Sequence, residues 1–309
     1  MLRGATDTAP STIRNNPVCC RGYSPGLKSH SDYITRGDSL IKPMPFAREA
    51  GNGPGVVCLH CNASSSSQWR ELLESLAPRF RVLAPDLYGS GKSADWPSDR
   101  TISLQDEVAF IEPVLPTGDS FSIVGHSHGA ALGLMLAVAY PKRVRALALF
   151  EPTLFSLIDA ESPPPNAADG IRQAVHASGR ALDRGDADEA AKHFIDYWMG
   201  PTSWENTPQL RRAPIVASIV NVRRWGHALF TEPTALDVFR TLDIPVLYMV
   251  GKDSTPSALG VARLLTHALP HVEVREFEGL GHMGPTTHPQ PVNEAVAEFL
   301  ARQYVASEC

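Results

Sequence analysis

From Val56 onward, short apolar runs alternate with segments whose apolar residues recur every three or four positions. GVVCLH, following a Gly/Pro cluster, predicts a buried strand, and Gln68 to Leu76, with Trp69, Leu72, Leu73 and Leu76 on one side, predicts a helix. RFRVLAPD predicts a second strand and Leu104 to Leu115 a second helix. FSIV predicts a third strand, and the Ala/Leu-rich helix after it is stopped by Tyr140-Pro141. VRALALF, PVLYMVG and VEVREF complete the set of strands, and Val292 to Tyr304 reads as a terminal helix. Strands that alternate with helices imply a mostly parallel sheet covered on both faces, because a parallel crossover carries its helix onto the sheet. The predicted class is therefore α/β, with a core formed by residues 31–151 and 244–309.

Residues 152–243 break the rhythm and read as helical. Asp186-x-x-Glu189 forms a capping signature ahead of Ala191, Phe194, Ile195 and Trp198, with Gly200-Pro201 as the stop. Thr207-Pro208 offers another helix start, with Pro214 either in its first turn or kinking it. The insert is predicted to be a helical cap over the carboxyl edge of the sheet, where open α/β sheets bind ligands. Residues 1–30 are rich in Ser, Thr, Pro, Gly and Asn, lack apolar periodicity and read as a disordered arm. The arm is also basic and poor in acid, a composition shared with organellar transit peptides.

Composition narrows the class without choosing an activity. A formal net charge of −5 gives no basic footprint for nucleic acid, and no apolar run is long enough to span a bilayer. Five cysteines without paired spacing suggest reduced thiols and a cytoplasmic protein. No H-E-x-x-H or comparable spacing calls for a metal, and no motif calls for a cofactor. A small-molecule substrate is the expected partner; oligomeric state is not readable from the chain.

The candidate chemistry centres on Gly125-His126-Ser127-His128-Gly129, between a strand and a helix. G-x-S-x-G in that setting places a serine on a strained turn at the sheet edge, with glycines permitting the close approach of strand and helix. Serine needs a base, and His282 lies in the Gly-rich loop GLGHMGP after the last strand.

Five segments, LHCNASSSSQW, PDLYGSGKS, GHSHG, GKDSTP and GLGHMGP, occur in the order of the α/β-hydrolase superfamily, which the chain resembles from about Val56 to Tyr304. The resemblance implies Ser127 as nucleophile and His282 as general base and then acid. It places the third triad member at Asp253, after the strand PVLYMVG, or at Glu151, after the strand that follows the nucleophile helix; Asp253 is ranked first. It puts the oxyanion donors on the backbone of His128 and Asn62, with Cys61 standing where the family usually has glycine. Asp86, Gly89, Gly91 and Ser93 match a structural turn of the family.

Trp198, Phe155 and Trp225 in the cap are candidate substrate-binding residues, although packing within the cap accounts for most such aromatics. The implied activity is hydrolysis of an ester or related activated carbonyl through a Ser-His-acid triad and an acyl-enzyme, without cofactor. C–C hydrolysis of diketones, lactone opening and perhydrolysis share that triad. A non-catalytic small-ligand binder would share the fold. Dehalogenases of the superfamily use aspartate at the nucleophile, so Ser127 points away from their reaction.

Overall fold

The computed structural model describes residues 43–118 and 120–305. The arm expected at 1–30, and the start of the core expected at 31, lie outside the described residues. Among the described residues, seven strands form one sheet: β1 (Ala47–Ala50), β2 (Gly55–Leu59), β3 (Arg81–Pro85), β4 (Phe121–His126), β5 (Val144–Phe150), β6 (Val246–Gly251) and β7 (Val272–Phe277). Their order is β1-β3-β2-β4-β5-β6-β7, parallel except for β1, which pairs antiparallel with β3. The sequence pattern did not predict β1. Its four residues, AREA, have no β-branched or aromatic member and sit on an edge, where backbone pairing alone places them.

The period of two along the strands divides the core into two layers. Val57, Leu59, Ile123, Leu147, Leu149 and Val250 face α2 (Leu104–Ile111), α3 (His128–Ala139) and α11 (Pro256–Ala268). Val56, Cys58, Val124, Ala146, Ala148 and Met249 face α1 (Arg70–Leu76) and α13 (Pro289–Val305). The predicted Leu104–Leu115 helix resolves into α2 and a 3-10 turn, Glu112–Val114, where Pro113 has no N–H for a continuing α ladder.

Between β5 and β6 the chain runs through α4 (Ser156–Glu161), α5 (Asp169–Asp183), α6 (Ala187–Met199), α7 (Ser203–Asn206), α8 (Gln209–Ile219), α9 (Val222–Phe230) and α10 (Leu236–Phe239). Asp186 caps α6 by accepting the Glu189 N–H at 2.9 Å. Pro214 lies inside α8. After β7 the chain makes the short helix α12 (Gly284–Thr287). Among the described residues no helix is long and apolar enough to cross a membrane.

Candidate active site

The strand order reverses direction between β2 and β4, and the carboxyl ends of neighbouring strands deliver the polar residues to one edge. β2 leads into His60-Cys61-Asn62, β4 into Ser127, β5 into Glu151, and β7 into the loop carrying His282. Ser127 has φ 57° and ψ −118°, a conformation costly for any L-residue, and its N–H donates to Phe150 O at 2.9 Å. Two glycines make the turn possible. A Cβ on Gly125 would stand 2.6 Å from Ala130 Cα, and one on Gly129 would stand 2.2 Å from Leu59 O.

Ser127 Oγ lies 2.8 Å from His282 Nε2, and His282 Nδ1 lies 2.7 Å from Glu151 Oε2. The other carboxylate oxygen of Glu151 accepts the Gly251 N–H at 2.8 Å and the Ser254 hydroxyl at 2.5 Å. A carboxylate only accepts, so Nδ1 carries the imidazole proton and Nε2 offers a lone pair to the serine hydroxyl. All three groups are buried, Glu151 completely.

The carboxylate that meets His282 is that of Glu151, the second-ranked of the two acids. Asp253 is exposed, and its backbone N–H bonds Leu280 O at 3.0 Å, while Ser254 turns inward to Glu151. The physical reason lies in the backbone. Glu151 adopts φ 45°, which folds its side chain under the histidine loop as β5 ends. The loop after β6 presses its backbone against Leu280 and Gly281 and leaves the Asp253 carboxylate outside.

The two histidines flanking Ser127 stand outside this line of side-chain hydrogen bonds. Gln68 accepts the Cys61 N–H through Oε1 at 3.1 Å, so its amide nitrogen donates to His126 Nδ1 at 3.0 Å. His126 Nε2–H then donates to the main-chain oxygen of His282 at 2.8 Å. A chain of three hydrogen bonds thus runs from the loop before Asn62 to the backbone of His282. Burial holds His126 well below the usual imidazole range, with His282 adding to the effect. The sequence reading missed Gln68, whose sole signal is its place at the start of a helix. Asp86 secures that helix by accepting the Ser66 N–H at 2.6 Å, and it also accepts the Lys92 N–H at 2.8 Å.

Neither the Asn62 nor the His128 backbone N–H meets a protein acceptor among the described residues. His128 opens α3, where the first N–H groups have no intrahelical partner. Cys61, in the usual place of glycine, is buried, and burial pushes its thiol up to about 12.

Asn62 and Ser127 line a cavity of ≈ 20 Å³ whose remaining walls come from the loop after β5 and the helical insertion. Phe155, Trp198 and Trp225 are all in that lining, with Thr153 as the third polar residue and no charged side chain. Two of the insertion arginines are engaged elsewhere: Arg212 bonds Thr207 O and Glu205 O, and Arg223 bonds Gly179 O and Asp183.

A sheet of this topology with a serine on a strained turn, an imidazole and a buried carboxylate defines a hydrolase class. The profile of the alpha/beta hydrolase fold family matches residues 54–289, and the chain belongs to that family. It is 39% identical to a pimeloyl-[acyl-carrier protein] methyl ester esterase of Nitrosomonas europaea over 78% of this chain and 93% of the relative. It is 35% identical to a haloalkane dehalogenase of Agrobacterium fabrum over 82% of this chain and 87% of that one. An alpha/beta hydrolase from Sphaerobacter thermophilus superposes with a TM-score of 0.64 at 25% identity, covering 83% of this chain and 96% of its own. The protein is an α/β-fold hydrolase.

Proposed function

We propose that this hydrolase is a serine esterase whose triad is Ser127, His282 and Glu151. The observation that carries the reading is the continuous line of two short hydrogen bonds, 2.8 Å and 2.7 Å, from the serine hydroxyl through the imidazole to a buried carboxylate. Ser127 Oγ attacks the ester carbonyl as His282 Nε2 takes its proton, and Glu151 balances the imidazolium. The Asn62 and His128 N–H groups receive the oxyanion. His282 then protonates the departing alcohol, and water, activated by the same imidazole, releases the acid and restores Ser127.

The helical insertion acts as a cap. Its apolar, uncharged walls favour a neutral carbon chain on the substrate. The cavity is small, ≈ 20 Å³, so side chains of the cap wall shift when an ester binds. The methyl ester esterase among the relatives supports ester cleavage. Dehalogenation is disfavoured, because displacement of halide by Ser127 would leave an ether that water does not cleave.

A fluorophosphonate probe tests the reading: wild-type protein is expected to label and Ser127→Ala not to. An unlabelled wild type, under conditions that label a known serine hydrolase, would overturn it. p-Nitrophenyl esters of graded chain length then define the acyl group.

A further inference from the structure

Glu151 and Ser127 hold the His282 ring at Nδ1 and Nε2, and its Cβ tether is the third point of attachment. The two ring faces are left to packing, and Trp198 covers one of them. Its indole lies over the imidazole with ring centroids 3.8 Å apart and planes 23° apart, a face-to-face stack. His126, the other neighbouring ring, stands 5.2 Å away and tilted by 48°, so it offers no comparable face.

The indole is itself held. Tyr197 packs edge-on against it at 4.9 Å, and Phe194 does so at 6.3 Å. The Tyr197 hydroxyl bonds Ser257 Oγ at 2.7 Å, tying the last turn of α6 to α11 beside the Ser254 that bonds Glu151. On the other side Asp196 Oδ1 accepts the Trp204 N–H at 2.8 Å. The end of α6 is therefore fastened to the core and to the rest of the cap at the point where Trp198 meets the triad.

We propose that Trp198 is a positioning residue for the general base: its indole face keeps His282 in line with Ser127 and stabilises the imidazolium formed in each half-reaction. The proposal rests on the serine-esterase reading of the site. A cation over a tryptophan face within about 6 Å of its centroid is favoured, most strongly where water is excluded. Trp198 and His282 are both buried, which meets that condition. The cap thereby contributes to the chemical step as well as to the substrate wall, and separating α6 from the core would remove the stack.

The test compares Trp198→Phe, Trp198→Leu and Trp198→Met with wild type, each first checked for a wild-type-like thermal transition. Two rates are read: p-nitrophenyl acetate turnover, and phosphorylation of Ser127 by diisopropyl fluorophosphate, which needs His282 but makes little use of the acyl wall. Leu and Met supply apolar volume without a π face, so both rates are expected to fall about tenfold with KM within about twofold, while Phe stays within about threefold of wild type. Two non-aromatic variants guard against one that fails to fold. The proposal is overturned if the loss appears only in KM, if Phe is as impaired as Leu and Met, or if all variants match wild type. A wild-type protein inert to the fluorophosphate would instead overturn the esterase reading and this proposal with it.

Discussion

At the residue scale, the choice between two carboxylates decides how the imidazole is oriented. Glu151 receives three donors, His282 Nδ1–H, Gly251 N–H and Ser254 Oγ–H, whereas Asp253 faces solvent. Glu151→Gln is expected to lower kcat by about 10³–10⁴, since an amide can present an N–H toward Nδ1 and favour the wrong tautomer. Asp253→Asn is expected to stay within about threefold, as surface substitutions do. Steady-state kinetics on one p-nitrophenyl ester settles the matter, and the opposite order would return the role to Asp253. Ser127 and His282 were legible as candidates in the sequence because each sits in a motif whose glycines have a mechanical purpose. The acid was not. β5 and β6 are neighbours with Phe150 opposite Met249, so both carboxylates leave the sheet at one edge. Which of them turns inward is set by loop dihedrals, including φ 45° at Glu151, that no residue pattern encodes.

At the scale of elements, the strand–turn–helix unit works because β2 and α3 touch through Gly129. The Cβ of an alanine there would stand 2.2 Å from Leu59 O, against backbone that cannot swing aside as a side chain does. Gly129→Ala is therefore expected to cost about 1–3 kcal/mol or more and to displace Ser127 from His282. Urea unfolding and fluorophosphonate labelling report the two effects separately, and unchanged stability with full labelling would refute the close-packing account. Strands with continuous apolar runs were readable, as were α1, α3 and α13, because their periodicity reflects burial, whereas α11 was not predicted. The edge strand β1 and the broken end of α2 were not, since their placement depends on pairing and on Pro113 more than on hydrophobic pattern.

At the scale of the whole molecule, buried titratable groups shape the dependence of stability on pH from opposite sides. His128 is buried near His60, and desolvation, followed by that neighbour, lowers it from 6.5 to about 3; burial also lowers His60 and His126. Below about pH 6.5 the unfolded chain takes up protons that these folded histidines refuse, so stability falls with acidification toward pH 3. Glu107 acts in the other direction. Burial raises it from 4.5 to about 8 despite the Tyr88 N–H it accepts at 3.2 Å. Between those values the folded state keeps a proton that the unfolded state has lost, so this contribution shrinks as pH rises and is gone above about 8. These groups act on opposite limbs, with the histidines contributing below about pH 6.5 and Glu107 above it. Glu107's own share of the decline from pH 6.5 to 8 is expected to be about 1–2 kcal/mol. Glu107→Gln, whose amide oxygen still accepts the Tyr88 N–H, is expected to flatten it. Urea midpoints for both proteins at pH 6.5 and 8.5 make the comparison, and an equal decline in the two would show that Glu107 is not its source.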